Sequence, residues 1–201
     1  MATPRGLDRL VTFADAVVAI AITLLVLPLV DLPGQNRGLG VGELLRDHIG
    51  EVGTFLLSFA VIARLWMVHH RTFEHVRLYD QTLVQLTMVW LVTIAFLPFP
   101  TELLGSAVST ASVLLYIGTL LASSLILTVT IAWVHAHPAL QESDDVVGPV
   151  RGPRWATSAF LAVAMVVALV DPRAGLWTLL LLLLAGPVDR LLERARARMA
   201  G

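Results

Sequence analysis

The sequence contains no cysteine and no lysine. Without cysteine there is no disulfide framework and no thiolate metal site. All 14 basic residues are arginine, a usage that points to a GC-rich bacterial coding sequence. Charge of either sign is scarce, at 14% of residues, while 57% are hydrophobic and the mean hydropathy is +0.80. A soluble domain has about 25% charged and about 45–50% apolar residues, so this composition is that of an integral membrane protein. The formal net charge of −1 offers no field for nucleic acid, and no soluble partner is evident. Phosphate-binding loops, dinucleotide fingerprints and Gly-x-Ser-x-Gly elbows are absent, and the chain does not read as an enzyme. No cofactor is implied. A Thr-Val-Gly-Tyr-Gly filter is absent as well.

What is present is a series of long apolar runs. A helix needs about 20 residues, rising about 1.5 Å each, to cross a hydrocarbon core of about 30 Å. Six runs qualify, at about 10–30, 49–70, 80–100, 106–135, 154–171 and 174–190. The first outlasts the core of a signal peptide, about 7–15 residues, and no small-residue cleavage site follows it. With six spans both termini share a side, which collects 10 arginines: Arg5, Arg9, Arg71, Arg77, Arg151, Arg154, Arg190, Arg194, Arg196 and Arg198. The other side holds Arg37, Arg46 and Arg173, so the positive-inside rule makes both termini cytoplasmic. The only sizeable loop is "HAHPALQESDDVVGPVRGP". The tail from Asp189 reads as an Arg-rich amphipathic helix near anionic lipid. The expected architecture is one all-α, six-helix transmembrane domain over 1–201.

The first run, "RLVTFADAVVAIAITLLVLPLV", keeps a carboxylate and hydroxyls inside an otherwise apolar helix. At about 100° per residue, Phe13, Ala16, Ile20, Leu24 and Leu27 share one face. Thr12, Asp15, Ala19 and Thr23 lie on an adjacent one, the small and polar pattern that lets helices approach and hydrogen-bond. An intramembrane carboxylate is by default paired and functional. "RLWMVHH" in the second run supplies partners level with Asp15: Trp66, His69 and His70, either histidine being a possible donor. Metal-binding histidines on one helix face are three or four residues apart, whereas His69 and His70 are neighbours. His135 and His137 fall on a loop-like stretch with no carboxylate at ligand spacing, so no fixed metal is expected. Ser123 and Ser124 read as packing residues. From spacing alone, the apolar stripe of the first helix also fits ordinary lipid or helix packing.

"RLVTFAD" resembles the Arg-x-x-x-Phe-Ser-Asp signature of the bacterial branch of the transmembrane protein 175 family of potassium channels. "AVVAIAITLLVL", "RLWMVHHRTF", "LYDQTL" and "IAFLPFPTELL" resemble that family's first three helices in order and spacing, over about residues 9–104. The resemblance implies six helices with cytoplasmic ends, assembly as a homotetramer in the bacterial plasma membrane, and passive flow of K+. It also implies a pore lined by the first helix of each subunit. Carried over by position, the constricting apolar layers are Ile20, Leu24 and Leu27, and the selectivity hydroxyl is Thr23. Arg9, Phe13 and Asp15 are then expected to tie this helix to Trp66, His69, His70 and Asp80 as a gating network. Two positions depart from the pattern. Ala14 replaces the signature serine, and Thr87 stands where the family usually has asparagine, leaving Thr12, Thr87 or water to substitute.

Two rival functions follow from the same residues. A proton-coupled secondary transporter would use Asp15 and His69 as a relay, and needs a midplane cavity with broken helices. A membrane enzyme built on the histidines would carry zinc or iron.

Overall fold

The structure, a computed structural model, describes residues 4–35, 38–142, 155–171 and Ala174. The sixth expected span, the Arg-rich tail and most of the long loop lie outside the described residues, as do Arg37, Arg151, Arg154 and Arg173. Among the described residues the fold is all-helical, with one isolated antiparallel bridge between Val76 and Gln141. In hydrocarbon every backbone polar group must be satisfied within the protein, and helices do this locally.

The helices are α1 (Pro4–Leu24), α2 (Leu27–Gln35), α3 (Val41–Asp47), α4 (Ile49–Phe73), α5 (Gln81–Phe96), α6 (Pro98–Ser106), α7 (Thr110–Ala136) and α8 (Trp155–Val170). A single 3-10 turn, Pro138–Leu140, follows α7. Four stretches are long and apolar enough to cross a membrane: Arg5–Gly34, Ile49–Phe73, Gln81–Ser106 and Thr110–Ala136. Thr157–Val170 is a shorter apolar helix. Helices occupy the regions of the second, fourth and fifth expected spans, the last of them shorter than a membrane-crossing helix. The third runs on to Ser106, because Pro98 begins a new helical segment instead of ending the span. Proline fits the first turn of a helix, where its missing N–H would be unpaired anyway.

The first expected span, 10–30, lies within the stretch Arg5–Gly34. The helix starts earlier, at Pro4, and is interrupted after Leu24. Pro28 lacks an N–H for the Leu24 carbonyl and its ring crowds that oxygen, so the regular ladder fails there. The chain bridges the gap with tighter bonds, Val26 N to Thr23 O at 3.3 Å and Leu29 N to Val26 O at 3.0 Å.

Local signals set the other helix starts. The Asp80 side chain accepts from Leu83 N at 2.7 Å and caps α5. Ser109 and Ser112 bond reciprocally, at 3.1 and 2.9 Å, at the start of α7. Along α7, Thr119, Thr128 and Thr130 return their hydroxyls to the carbonyls four residues earlier, which removes the cost of carrying them in an apolar span.

The main core joins Ala14, Val18 and Ala21 of α1 to Ile62 of α4, Trp90 and Ile94 of α5, and Tyr116 and Ile117 of α7. Ala14, Ala21, Ala164 and Ala168 are fully buried; such small residues let helices approach closely where lipid supplies no hydrophobic drive. Ser124 meets Ser158 at 2.9 Å and knits α7 to α8. Ser58, Thr101 and Tyr116 form a buried hydroxyl cluster joining α4, α6 and α7, with Thr101 to Ser58 at 2.9 Å and Ser58 to Tyr116 at 3.1 Å.

Candidate functional site

The first helix divides its surface. Leu7, Leu10, Ala14, Val18, Ala21 and Leu25, spaced by three or four, are buried against the other helices. The opposite face is bare within the protomer. Phe13 is 51% exposed, Ile20 59%, Leu24 42% and Leu27 53%. Thr12, Ala16, Ala19 and Thr23 are exposed with them. Leu27 lies beyond the interruption, in α2, so the three layer residues do not sit on one uninterrupted helix as the wheel assumed.

Thr23 Oγ1 donates to the Ile20 carbonyl at 2.8 Å. With its proton engaged, the hydroxyl has only lone pairs left to offer outward.

The other side of α1 is anchored at Asp15. Trp66 Nε1 donates to Asp15 Oδ1 at 2.7 Å, joining α1 to α4. This is a short bond to a carboxylate in a half-buried position, the stronger kind. Trp66 in turn stacks on His70, with ring centroids 5.1 Å apart and 23° between planes. His70 Nε2 is 3.5 Å from Glu74 Oε1.

The histidines do not donate to Asp15, and the expectation that one would is corrected. His69 is buried with its ring parallel to Trp90, centroids 4.3 Å apart and planes 6° apart, and it also stacks on Phe73 at 4.3 Å. Neither of its ring nitrogens has a hydrogen-bond partner, and Trp90 Nε1 is also unpaired. Of the substitutes expected for the missing serine and asparagine, Thr87 spends its hydroxyl on Leu83 O at 2.8 Å and Thr12 is exposed.

Asp80 is also not part of the Asp15 network. Besides capping α5, it accepts from Trp133 Nε1 of α7 at 3.0 Å. Trp133 packs on His137 with centroids 4.1 Å apart. His135 lies in the last turn of α7 and not in a loop. Trp133 was not anticipated, although "WVHAH" echoes "WMVHH" in placing tryptophan four residues before a histidine. Arg9 is exposed and makes no hydrogen bond or ion pair with the described residues. Ser123 is buried without a partner. No group of three or more His, Asp or Glu among the described residues is arranged to hold a metal.

At the far end of the bundle, a cavity of about 170 Å³ opens beside the interruption, bounded by Leu25, Pro28, Asp31, Glu51, Thr101 and Glu102. His48 Nδ1 lies 3.1 Å from Glu51 Oε1 at its edge.

Residues 9–98 match the family model described as "Endosomal/lysosomal potassium channel TMEM175". A protein named potassium channel from Streptomyces collinus is 34% identical over 97 residues, 48% of this chain and 47% of that protein. One of the same description from Chamaesiphon minutus is 37% identical over 99 residues, 48% of each. The human protein named endosomal/lysosomal proton channel TMEM175 is 31% identical over 100 residues, 48% of this chain and 19% of its own length. The matched part spans about half the length of the two bacterial relatives. The fold is shared with the crystal structure of a potassium-selective channel homologue from Chamaesiphon minutus, with TM-score 0.72 and 24% identity over 92% of this chain and 98% of that one. The names carried by these relatives are those of ion channels and not of enzymes.

Proposed function

We propose that the chain is a member of the transmembrane protein 175 family, the reading its residues 9–98 support, and that it is a passive, potassium-selective channel of the bacterial plasma membrane. Six helices per subunit, with both termini cytoplasmic, assemble as a homotetramer around an axis lined by the first helix. Ile20, Leu24 and Leu27 form the constriction, Thr23 favours K+, and no cofactor takes part.

The observation that carries this reading is the bare apolar face of α1, with Ile20 59% and Leu27 53% exposed while the reverse face is packed into the bundle. One such helix cannot enclose a path, but copies around an axis can. A hydrophobic ring gates by dewetting. When the ring widens, a partly hydrated K+ passes, and the outward lone pairs of Thr23 offset part of the water it sheds. Sodium and calcium hold their water more tightly and pass less well. The Trp66–Asp15 bond holds the rotation of α1, with His70 stacked on Trp66, while Arg9 and Phe13 are exposed and His69 adds no hydrogen bond to it.

Ile20→Ala, Leu24→Ala and Leu27→Ala in reconstituted bilayers test the assignment. Each is expected to raise conductance and reduce K+ over Na+ selectivity, most at Leu27. Currents and selectivity unchanged across all three remove it. Proton conduction is the second reading, favoured by the names of the vertebrate relatives. Potassium, sodium and proton flux compared side by side separates the two. A proton-coupled transporter is less well supported, since the named relatives are channels.

A further inference from the structure

The turn between α4 and α5 is held from two sides. On one side it zips to the end of α7: Arg77 N and Leu78 N donate to Leu140 O at 2.8 and 3.2 Å, and Glu142 N donates to His75 O at 2.9 Å. Gln141 Nε2 donates to Val134 O at 2.7 Å, and Trp133 reaches Asp80 at 3.0 Å. On the other side the turn presses Tyr79 against α1. A Cβ added at Gly6 would meet the Tyr79 hydroxyl and lie 2.8 and 2.9 Å from ring atoms Cζ and Cε1, so a methyl there forces the Tyr79 ring or α1 to shift. Around this contact Leu7, Leu10, Phe73, Val76, Leu83 and Val134 form a second buried cluster, separate from the main core.

We propose that Tyr79 is a second positioning residue for α1, acting through Gly6 and backed by the Trp133–Asp80 strap. Gly6 and Asp15 are nine residues apart, which at about 100° each places them on opposite sides of the helix and about 13 Å apart along it. Trp66 therefore holds one side and Tyr79 the other. Two grips on opposite sides oppose rotation, which a single hydrogen bond does not. Through the strap, the end of α7 and the face of α1 move together. The functional consequence rests on the channel reading; the positioning itself does not.

The absence of cysteine lets one nitroxide report on α1. The label is placed at Ala16→Cys, on the exposed face, and its accessibility to a water-soluble relaxing agent is measured in the purified full chain together with K+ flux. Gly6→Ala is expected to change the accessibility about twofold, as when a helical side chain turns toward a neighbouring face. Tyr79→Ala alone removes the ring that grips this side and is expected to change the accessibility as well. A merely stabilising contact would move the melting temperature and leave the label where it was. An unchanged label in a folded Gly6→Ala protein overturns the proposal, as does an unchanged label in a folded Tyr79→Ala protein. Should Gly6→Ala not assemble, Trp133→Phe removes the strap bond without adding bulk, and an unchanged label there is equally fatal. Labels that respond as expected, in a protein whose unlabelled form shows no K+ flux, leave the positioning intact and sink the channel reading. Flux that responds to the constriction variants with an unmoved label does the reverse.

Discussion

The two ends of the first apolar run are built on opposite principles. Near its start the helix is gripped: Trp66 bonds Asp15 at 2.7 Å, Tyr79 fills the notch at Gly6, and Leu7 and Leu10 are buried. Near its finish the backbone ladder fails between Leu24 and Leu27, and Leu24, Val26 and Leu27 face outward while Leu25 stays buried. The grips fix direction and the gap permits bending. In the proposed channel, the constriction at Ile20, Leu24 and Leu27 would straddle the boundary between the two regimes, so a small bend at Leu25–Val26 would change the separation of Leu27 across the axis while leaving Ile20 nearly in place.

Pro28→Ala erases the contrast and is expected to have the largest effect. The new N–H can bond the Leu24 carbonyl and join α1 to α2. A helix-interior proline costs about 3 kcal/mol, and a bias of that size is about a hundredfold in a two-state equilibrium. The thermal midpoint in detergent should rise and the open-state occupancy fall. Equal midpoints and equal open probability would show that the gap is not the hinge.

Trp66→Phe loosens the gripped end. The Asp15 carboxylate loses its indole donor while half-buried, and hydrogen bonds to charged groups contribute about 1.5–3 kcal/mol. Membrane proteins tend toward the low end of such ranges, because the unfolded chain in lipid finds other partners. A lower unfolding midpoint with raised leak current is expected. The double variant Trp66→Phe/Asp15→Leu removes both polar groups and should recover part of the loss. Recovery of none would mean that the indole packs and does not bond.

Trp133→Phe makes the finer comparison between the two tryptophan–aspartate pairs. Asp80 keeps its capping bond to Leu83 N when Trp133 is lost, whereas Asp15 has no second bond among those described. The expected destabilisation is about 1 kcal/mol, an ordinary net hydrogen bond. A cost as large as that of Trp66→Phe in the same unfolding assay would make the two pairs equivalent and weaken the claim that the grip on α1 is the special one.

Most of this contrast was legible in part. Asp15 stood out because a carboxylate in an apolar run must find a partner, and Trp66 was named among its neighbours. The outward stripe followed from the helical period, and exposure of Phe13, Ile20, Leu24 and Leu27 agrees with it. Two things were hidden. The expected first span runs through Pro28 to residue 30 as one helix, and hydropathy does not report that the helix is interrupted after Leu24 and resumes to Gln35. The Gly6–Tyr79 notch and the Trp133–Asp80 bond join residues more than fifty positions apart, which no periodicity reports.

The smallest expected effect concerns the interior behind the gripped end. His69 has no hydrogen-bond partner for either ring nitrogen and lies flat on Trp90, whose own N–H is also unpaired. Thr87 is one turn before Trp90 on the same face of α5, and its short side chain folds back onto Leu83 O. Asparagine there is longer and carries both a donor and an acceptor, so Thr87→Asn is expected to reach the imidazole edge and satisfy one nitrogen. A net gain of about 0.5–1.5 kcal/mol follows if the bond forms without disturbing the stack. The readout is the unfolding midpoint of Thr87→Asn against Thr87→Val, which removes the hydroxyl at similar volume. If asparagine were no more stable than valine, His69 would be held by its aromatic neighbours alone, and the grip on α1 would owe nothing to it.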